Sequence, residues 1–258
     1  DGASWTAPLV VRDIPGENPY TDVKFLPSND LSVVAWHRKR PVGEAYDIWL
    51  AKQVGSASWT TEQVTDDAND DKRVRIGVYS DDNVILTFPR HNPAGPTGNK
   101  EIAVATLSGT TWDIQLLTTN DKNDHRPAIA IDNSDKAHIA YAGWVGSGKG
   151  DPVDIHWNLF YTNDTSGSWS APINLSTTLS LPAKADWPAI AVDDSGEVHI
   201  VCAAGVGATR EVYHITNETG SWTATQISDA TDPPCEWAVL AMEGDGTCLL
   251  YTSDAADE

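Results

Sequence analysis

The stretch that decides the fold is Asp186-Trp187-Pro188-Ala189-Ile190-Ala191-Val192-Asp193, which has an earlier counterpart in His125-Arg126-Pro127-Ala128-Ile129-Ala130-Ile131-Asp132. A later, shorter counterpart reads Glu236-Trp237-Ala238-Val239-Leu240-Ala241-Met242. In all three, a short run of apolar residues alternates in the way that is typical of a β-strand. The recurrence of one strand pattern along a single chain indicates an internal repeat.

Each copy leads into a second and a third predicted strand. A polar turn comes first, clearest in Asp193-Asp194-Ser195-Gly196, where glycine supplies the positive φ that a tight turn requires. The second strands begin at His138 and His199, and a third strand follows at 211–215. Because the two histidines occupy one scaffold position in successive repeats, we expect them to have a packing role rather than a chemical one.

Tryptophans mark the period of the repeat. Each of them follows Ser or Thr, and they are spaced 53 to 57 residues apart: Trp5, Trp59, Trp112, Trp169 and Trp222. The chain therefore divides into repeats at about 6–59, 60–112, 113–169, 170–222 and an incomplete 223–247.

Each repeat holds four short predicted strands and no convincing helical period. Four-stranded antiparallel units at a constant period are typical of the blades of a β-propeller, so we predict an all-β propeller. Four full repeats and part of a fifth are present. A propeller must close to cover its edge strands, so we expect six or seven blades in the complete protein.

The last eleven residues, 248–258, resemble the translation of a transposon-type DNA-sequencing adaptor in one reading frame. We therefore expect the natural sequence to stop at Thr247, and the chain to be a metagenomic fragment. The alternative is a true tail. The chain begins at Asp1 rather than Met, so we expect any signal peptide to be missing already.

The charge of the chain excludes several classes of partner. It has 37 acidic and 17 basic residues, a formal net charge of −20. Duplex nucleic acids and anionic membranes bind basic surfaces, so neither is expected as a partner. No apolar run approaches the ~20 residues of a membrane span, so membrane insertion is not expected. The acidity instead favours an extracellular or cell-surface location.

The three cysteines do not form a disulfide scaffold or a zinc motif. Cys202 and Cys235 fall on the same face of neighbouring repeats, so they are either bonded to each other or are two buried free thiols. We expect no cofactor and no metal site. The loops at 66–71 and 120–124 are acidic enough to hold Ca²⁺, although solvated loops are the simpler interpretation.

One turn carries a family resemblance. Thr162-Asn163-Asp164-Thr165-Ser166-Gly167-Ser168-Trp169 resembles an Asp box, the Ser/Thr-x-Asp-x-Gly-x-Thr-Trp turn of sialidase-like propellers (BNR repeats), with one extra residue. Thr216-Asn217-Glu218-Thr219-Gly220-Ser221-Trp222 resembles a degenerate box with Glu in place of Asp. The resemblance covers 1–247 as architecture. It implies an active face built from the loops that enter the first strands, with the boxes on the opposite face.

Alignment of the repeats gives the candidate site. One equivalent position holds Tyr20, Arg73, Arg126, Trp187 and Trp237, and the position before it holds Pro19, Lys72, His125, Asp186 and Glu236. These ten residues should surround the mouth of the central channel. Aromatic faces stack on sugar rings and arginine binds carboxylates. We therefore predict that a glycan, or another small acidic or neutral saccharide, binds to Tyr20, Arg73, His125, Arg126, Trp187 and Trp237. Packing between blades is the alternative for each residue taken singly.

The predicted catalytic residues are Asp186 and Glu236, as paired carboxylates for general acid–base work. Solvated rim charges are the alternative interpretation. Sialidases bind the substrate carboxylate with three arginines, and the resemblance offers Arg73 and Arg126 as two of them. Neither a third arginine nor the Tyr/Glu nucleophile pair of that family can be assigned.

The repeats, the resemblance and the candidate site lead to two functional hypotheses. The first is an extracellular carbohydrate-active or carbohydrate-binding propeller, in its catalytic form a sialidase-like glycoside hydrolase acting at the channel mouth. The second is a non-catalytic propeller, lectin-like or binding a protein partner. Fold alone does not choose between them, because function resides in the site.

Overall fold

The computed structural model describes residues 20–43, 45–55, 58–92, 99–146, 156–228, 237–242 and 248–253. Trp5, Pro19, Cys235 and Glu236 lie outside these residues. The described part of the chain folds into five antiparallel sheets, which we call blades 1 to 5.

The strands of blades 1 and 2 follow one another along the chain. Blade 1 contains β1 (Thr21–Phe25), β2 (Ser32–Lys39), β3 (Tyr46–Gln53) and β4 (Trp59–Gln63). Blade 2 contains β5 (Arg75–Val78), β6 (Val84–His91), β7 (Lys100–Ser108) and β8 (Thr111–Leu116).

The later blades repeat this arrangement. Blade 3 contains β9 (Asp124–Ile131), β10 (Ala137–Trp144), β11 (Trp157–Asn163) and β12 (Ile173–Asn174). Blade 4 contains β13 (Asp186–Val192), β14 (Val198–Ala204), β15 (Glu211–Thr216) and β16 (Thr223–Gln226). Blade 5 contains β17 (Trp237–Met242) and β18 (Cys248–Ser253). A short helix, α1 (Leu175–Leu179), and a 3₁₀ turn at Gly207–Thr209 complete the described elements.

Strand order within each blade follows chain order, and every pair is antiparallel. The first strands of successive blades, β1, β5, β9, β13 and β17, contact one another in turn. The first strands are therefore innermost and surround a common channel, while the fourth strands are outermost. The predicted all-β propeller of four-stranded antiparallel blades is confirmed. A total of six or seven blades stays a prediction.

The tryptophan repeats are offset from the blades by one strand. Trp59 and Trp112 lie within outermost strands, and Trp222 directly precedes one. Each tryptophan-to-tryptophan repeat thus contains the outer strand of one blade and three strands of the next. The Trp222 ring packs edge-on against Tyr161 of the preceding blade, with ring centroids 4.9 Å apart. This contact places the Trp222 ring between the sheets of blades 3 and 4.

The core lies between blades rather than within them. In β6, Leu86 and Phe88 pack in the cluster shared with blade 1, whereas Ile85 packs in the cluster shared with blade 3. Both faces of the strand are buried, which explains why 84–88 is apolar at every position except Thr87. Burial of each such side chain stabilises the fold by about 1.5–3 kcal/mol.

A hydroxyl hydrogen bond recurs in all four complete blades. The residue that follows the outer strand accepts a bond, at 2.8–2.9 Å, from a backbone N–H near the start of the third strand. The four hydroxyl residues are Thr65, Thr118, Ser176 and Ser228. Their period matches the blade period, so they tie the outer strand of each blade to its third strand before the chain enters the next blade.

The carboxylate of the Asp-box residue Asp164 bonds the neighbouring strand β10 rather than its own turn. Asp164 Oδ1 accepts a bond from the backbone N–H of Ala137 on β10, at 2.7 Å, and Asn163 caps the turn instead. In blade 4 the equivalent acceptor is Asn217, which bonds the backbone N–H of Val198 at 2.7 Å. The interpretation of Glu218 as the counterpart of Asp164 is therefore wrong, because Asn217 occupies that role.

Among the described residues, no helix is both long and apolar enough to cross a bilayer.

Candidate functional site

A cavity of about 550 Å³ opens where the inner strands begin. Blades 1 to 4 contribute side chains to its entrance, and blade 5 contributes 238–240. Four of the six residues predicted to bind a ligand line this cavity: Tyr20, Arg73, Arg126 and Trp187. The sequence alignment thus identified equivalent positions that converge on one space.

The backbone is left-handed at the same position in three successive blades. Arg73 has φ 54°, Arg126 has φ 55° and Trp187 has φ 52°. This region is unfavourable for residues other than glycine, and each instance costs on the order of 1–3 kcal/mol. The same strained backbone in three blades is therefore a built-in feature of the channel mouth.

At Arg126 and Trp187 the strain belongs to a β-bulge. In blade 3, Ala128 pairs with Ala140 and His125 with Ala142, so Arg126 and Pro127 together oppose Tyr141. The pairing of β13 with β14 shifts in the same way at Trp187 and Pro188. A bulge bends the strand and redirects a side chain, and it accommodates a proline that has no N–H to donate. The bulges direct positions 126 and 187 into the cavity.

The entrance side chains stack on one another. The Arg126 guanidinium lies 4.2 Å from the centroid of the Trp187 ring, and the Arg73 guanidinium lies 5.7 Å from the same ring. Arg73 is also 5.6 Å from the ring of Tyr20. Cation–π contacts of this kind are worth about 0.5–2 kcal/mol each. They join blades 1 to 4 across the mouth of the channel.

Asp186, predicted to be catalytic, is completely buried beside the cavity. Its Oδ2 accepts a hydrogen bond from Arg126 Nη1 at 2.7 Å, and its Oδ1 accepts one from Arg210 Nη2. Burial raises the pKa of the carboxyl group, and Arg210 and Arg126 oppose that rise. Asp186 therefore lies between two guanidinium groups and does not line the cavity.

Arg210 is a site residue that the sequence analysis missed. It is 5% exposed, and its Nη1 also donates to the backbone oxygens of Lys184 and Gly205 at 3.0 and 3.3 Å. An equivalent residue lies at or just before the start of the third strand in each blade: Tyr46, Lys100, Trp157 and Arg210. Tyr46, Trp157 and Arg210 contact the residues that precede the entrance positions, namely Lys72, His125 and Asp186. The alignment considered only the first strand. The recurring hydroxyl residues Thr65, Thr118, Ser176 and Ser228 mark the start of each third strand. They are the sequence signal that could have located these four residues.

His125 lies beside the cavity and packs edge-on against Trp157, with ring centroids 5.4 Å apart and planes at 89°. Burial, followed by the charges of Lys100, Arg73 and Arg126, lowers the pKa of the His125 imidazole to about 3. The ring is neutral at pH 7. Lys72 lies over Tyr46, 4.2 Å from the ring centroid. Trp237 begins β17, but its side chain, like Glu236, lies outside the described residues.

The acidic loop at 66–71 forms ion pairs with basic side chains of the same chain. Arg90 pairs with Asp67 and with Asp71, the latter at 2.7 Å, and Lys100 pairs with Asp70 at 3.0 Å. Burial raises the pKa of Asp71 to about 7.

The second acidic loop is bonded internally. Asn120 donates to Asp124 at 2.8 Å, and Asn123 accepts from the backbone of Lys100 at 3.0 Å. Burial raises the pKa of Asp124. Within the part of the chain that the structure describes, no group of three or more His, Cys, Asp or Glu residues is arranged to hold a metal ion.

Cys202 is a free, completely buried thiol on β14, and burial raises its pKa to about 12. Its predicted partner, Cys235, lies outside the described residues. Cys248 is free and exposed, and it begins β18.

The cavity is cationic although the chain is acidic. Four basic side chains line it, Lys24, Arg73, Arg75 and Arg126, and the described lining has one carboxylate, Asp22. The carboxylate of Asp22 is hydrogen-bonded to the backbone, since its Oδ2 accepts a hydrogen bond from Ile76 N–H at 2.8 Å. The lining therefore carries a net positive charge in a chain whose formal net charge is −20.

No protein-family model and no curated protein sequence matches the chain. Solved structures do match its fold. An α-L-arabinanase from Penicillium chrysogenum, solved with arabinobiose, aligns with a TM-score of 0.61 and 15% identity over 96% of this chain and 80% of the enzyme. An α-L-arabinofuranosidase from Fusarium graminearum aligns with a TM-score of 0.61 and 16% identity, over 96% of this chain and 79% of the enzyme.

A thermostable family-43 glycoside hydrolase aligns with a TM-score of 0.52 and 11% identity, over 96% of this chain and 87% of the enzyme. At such identities the matches establish the fold alone. None of the three is described as a sialidase, so the matches bear out the predicted propeller but not its sialidase-like type. The chain therefore has the β-propeller fold that these glycoside hydrolases share.

Proposed function

We propose that this chain is a carbohydrate-active propeller that binds a glycan in the cavity at the channel mouth. The observation that carries the proposal is the convergence of Tyr20, Arg73, Arg126 and Trp187 on one cavity of about 550 Å³. Tyr20 is 41% exposed, so its ring is accessible to a ligand. Aromatic rings supply stacking surfaces and guanidinium groups supply hydrogen-bond donors, the two contacts that a saccharide requires.

Two further observations support a ligand site. Cavities of about 300–1,000 Å³ with a few convergent polar groups are typical of small-molecule sites. The left-handed backbone at Arg73, Arg126 and Trp187 is a second indication, because strained residues concentrate at functional sites. The likeness to glycoside hydrolases raises the expectation of a glycan, by analogy of fold.

For the reaction we propose hydrolysis of a glycosidic bond, which requires two carboxyl groups on either side of that bond. Glu236, which directly precedes the first strand of blade 5 in the sequence, is proposed as one of the two, and no described residue of the cavity lining is proposed as the second. Asp186 is completely buried between Arg126 and Arg210, so we propose that it acts as a positioning residue that holds Arg126 against Trp187. The location that suits this reaction is the cell surface or the extracellular space.

The test is a glycan array combined with a hydrolysis assay on the same oligosaccharides, including arabinans and sialosides. Trp187→Ala and Tyr20→Ala should each weaken binding at least tenfold, about 1.4 kcal/mol. Ile173→Ala is the control, since Ile173 is 39% exposed on the outermost strand β12 and does not line the cavity. Binding without hydrolysis would leave a lectin-like module, and a chain that binds no glycan would refute the proposal.

A further inference from the structure

Three cations in the cavity have no carboxylate partner among the described residues. Arg126 shares the carboxylate of Asp186 with Arg210, whereas Lys24, Arg73 and Arg75 form no ion pair within the described part of the chain. The chain has more than twice as many acidic as basic residues. Cations that line a concave surface and lack counter-charges repel one another, so an anion that enters the cavity is stabilised.

The lowered pKa values of two histidines near the mouth reflect the same positive potential. The pKa of His125 is lowered to about 3 and that of His37 to about 4, by burial first. Lys100 and Arg73 contribute to both shifts, because they oppose a further positive charge. Asp70 acts in the opposite direction on His37 and does not reverse the result.

The free cations are spread along the channel axis. Arg73 lies at the entrance, at the position equivalent to Tyr20, and Arg75 is two residues further along the inner strand. Two fully extended residues span about 7 Å, which is an upper bound here because Arg73 has a left-handed backbone and β5 begins only at Arg75. Lys24 lies deeper still, four residues beyond Tyr20, where the channel wall becomes apolar at 129–131 and 190–192. The positive charge therefore occupies at least two depths.

We propose that the cavity takes an acidic saccharide with at least two negative groups, one bound at the entrance by Arg73 and Arg126 and one deeper, by Arg75 and Lys24. This inference rests on the proposed glycan site and adds the chemical class of its ligand. The anionic groups are carboxylates of uronic-acid units or sulfate esters. A guanidinium pair recognises both, with two parallel hydrogen bonds available to a carboxylate.

Calorimetric titration with matched disaccharides tests the ligand class. The probes are a disaccharide with two uronic acids, one with a single uronic acid, a disulfated neutral disaccharide and a carboxyl-reduced neutral disaccharide. The two-charge probes should bind at least about tenfold more tightly than the neutral one, and salt should weaken their binding. The better of the uronate and sulfate probes identifies the anionic group.

Charge variants test the two depths. Arg75→Gln should weaken binding of the two-charge probe about tenfold and leave the one-charge probe unchanged, whereas Arg73→Gln should weaken both. Arg75→Lys retains the charge and should retain the affinity, which separates charge loss from misfolding. Lys52→Gln, on β3 and away from the cavity, is the matched control. Equal binding of neutral and acidic probes would overturn the inference while leaving the glycan site intact. Absence of binding to every probe would overturn both.

Discussion

Replacing Asp186 by asparagine should destabilise the fold more than any other conservative change at the site. The substitution keeps the size of the side chain and removes its charge. Arg210 is then left 5% exposed, with the backbone oxygens of Lys184 and Gly205 as its remaining partners. Removal of one member of a buried ion pair costs about 3–5 kcal/mol, because the other charge is stranded.

That free energy corresponds to a fall in Tm of roughly 6–20 °C for a chain of this size. Thermal unfolding followed by circular dichroism measures it. Asp113→Asn is the matched control, because Asp113 is exposed on the outer strand β8 and should change the free energy of unfolding by less than about 0.5 kcal/mol. Arg210→Met added to Asp186→Asn should restore part of the loss, since it removes the stranded charge.

The same substitution should also affect glycan binding. Without the carboxylate, Arg126 is no longer held against Trp187, so the affinity for a glycan should fall together with the stability. A protein with asparagine at this position that unfolds within about 1 °C of the wild type would refute the ion-pair reasoning. Unchanged glycan affinity in the same variant would refute the positioning role of Asp186.

Two other changes have expected results. The folded-state pKa of His125, about 3, lies below its ordinary value of 6.5, so the folded protein binds fewer protons than the unfolded chain. Stability should therefore fall as the pH drops from about 6.5 towards 3, and His125→Gln should flatten that slope in urea unfolding; an unchanged slope contradicts this. Gly205 has φ +116°, and a Cβ there would lie 2.1 Å from the backbone oxygen of Thr209. Gly205→Ala should thus lower Tm well beyond Gly196→Ala, whose Cβ meets nothing within 4 Å and which costs only about 1–2 kcal/mol for its left-handed backbone; equal losses would show that the close contact is irrelevant.

The sequence predicted the blades because strand alternation and a constant period are local and repeated signals. Neighbouring residues such as Ile85 and Leu86 face different blades, so each strand carries its apolar pattern independently of tertiary detail. The entrance positions were predictable for the same reason, since alignment of the inner strands brings Arg73, Arg126 and Trp187 into register.

Other features of the structure have no local signal in the sequence. A left-handed backbone at arginine or tryptophan cannot be recognised from residue type, because glycine and asparagine are the residues that indicate it. Arg210 was missed because it contacts Asp186 across the intervening strand β14, 24 positions away. The acceptor in blade 4 was assigned to Glu218 by similarity to an acidic motif, whereas the geometry of the turn uses the adjacent amide of Asn217.

The left-handed backbone at 73, 126 and 187 is the same whichever side chain occupies the position. Three blades hold the same main-chain conformation there while presenting two arginines and a tryptophan. Since this conformation does not depend on which of these side chains is present, ligand preference can diverge through point substitutions alone, without insertions or remodelled loops. Combinatorial randomisation of these three codons is accordingly a direct route to propellers with new saccharide preferences.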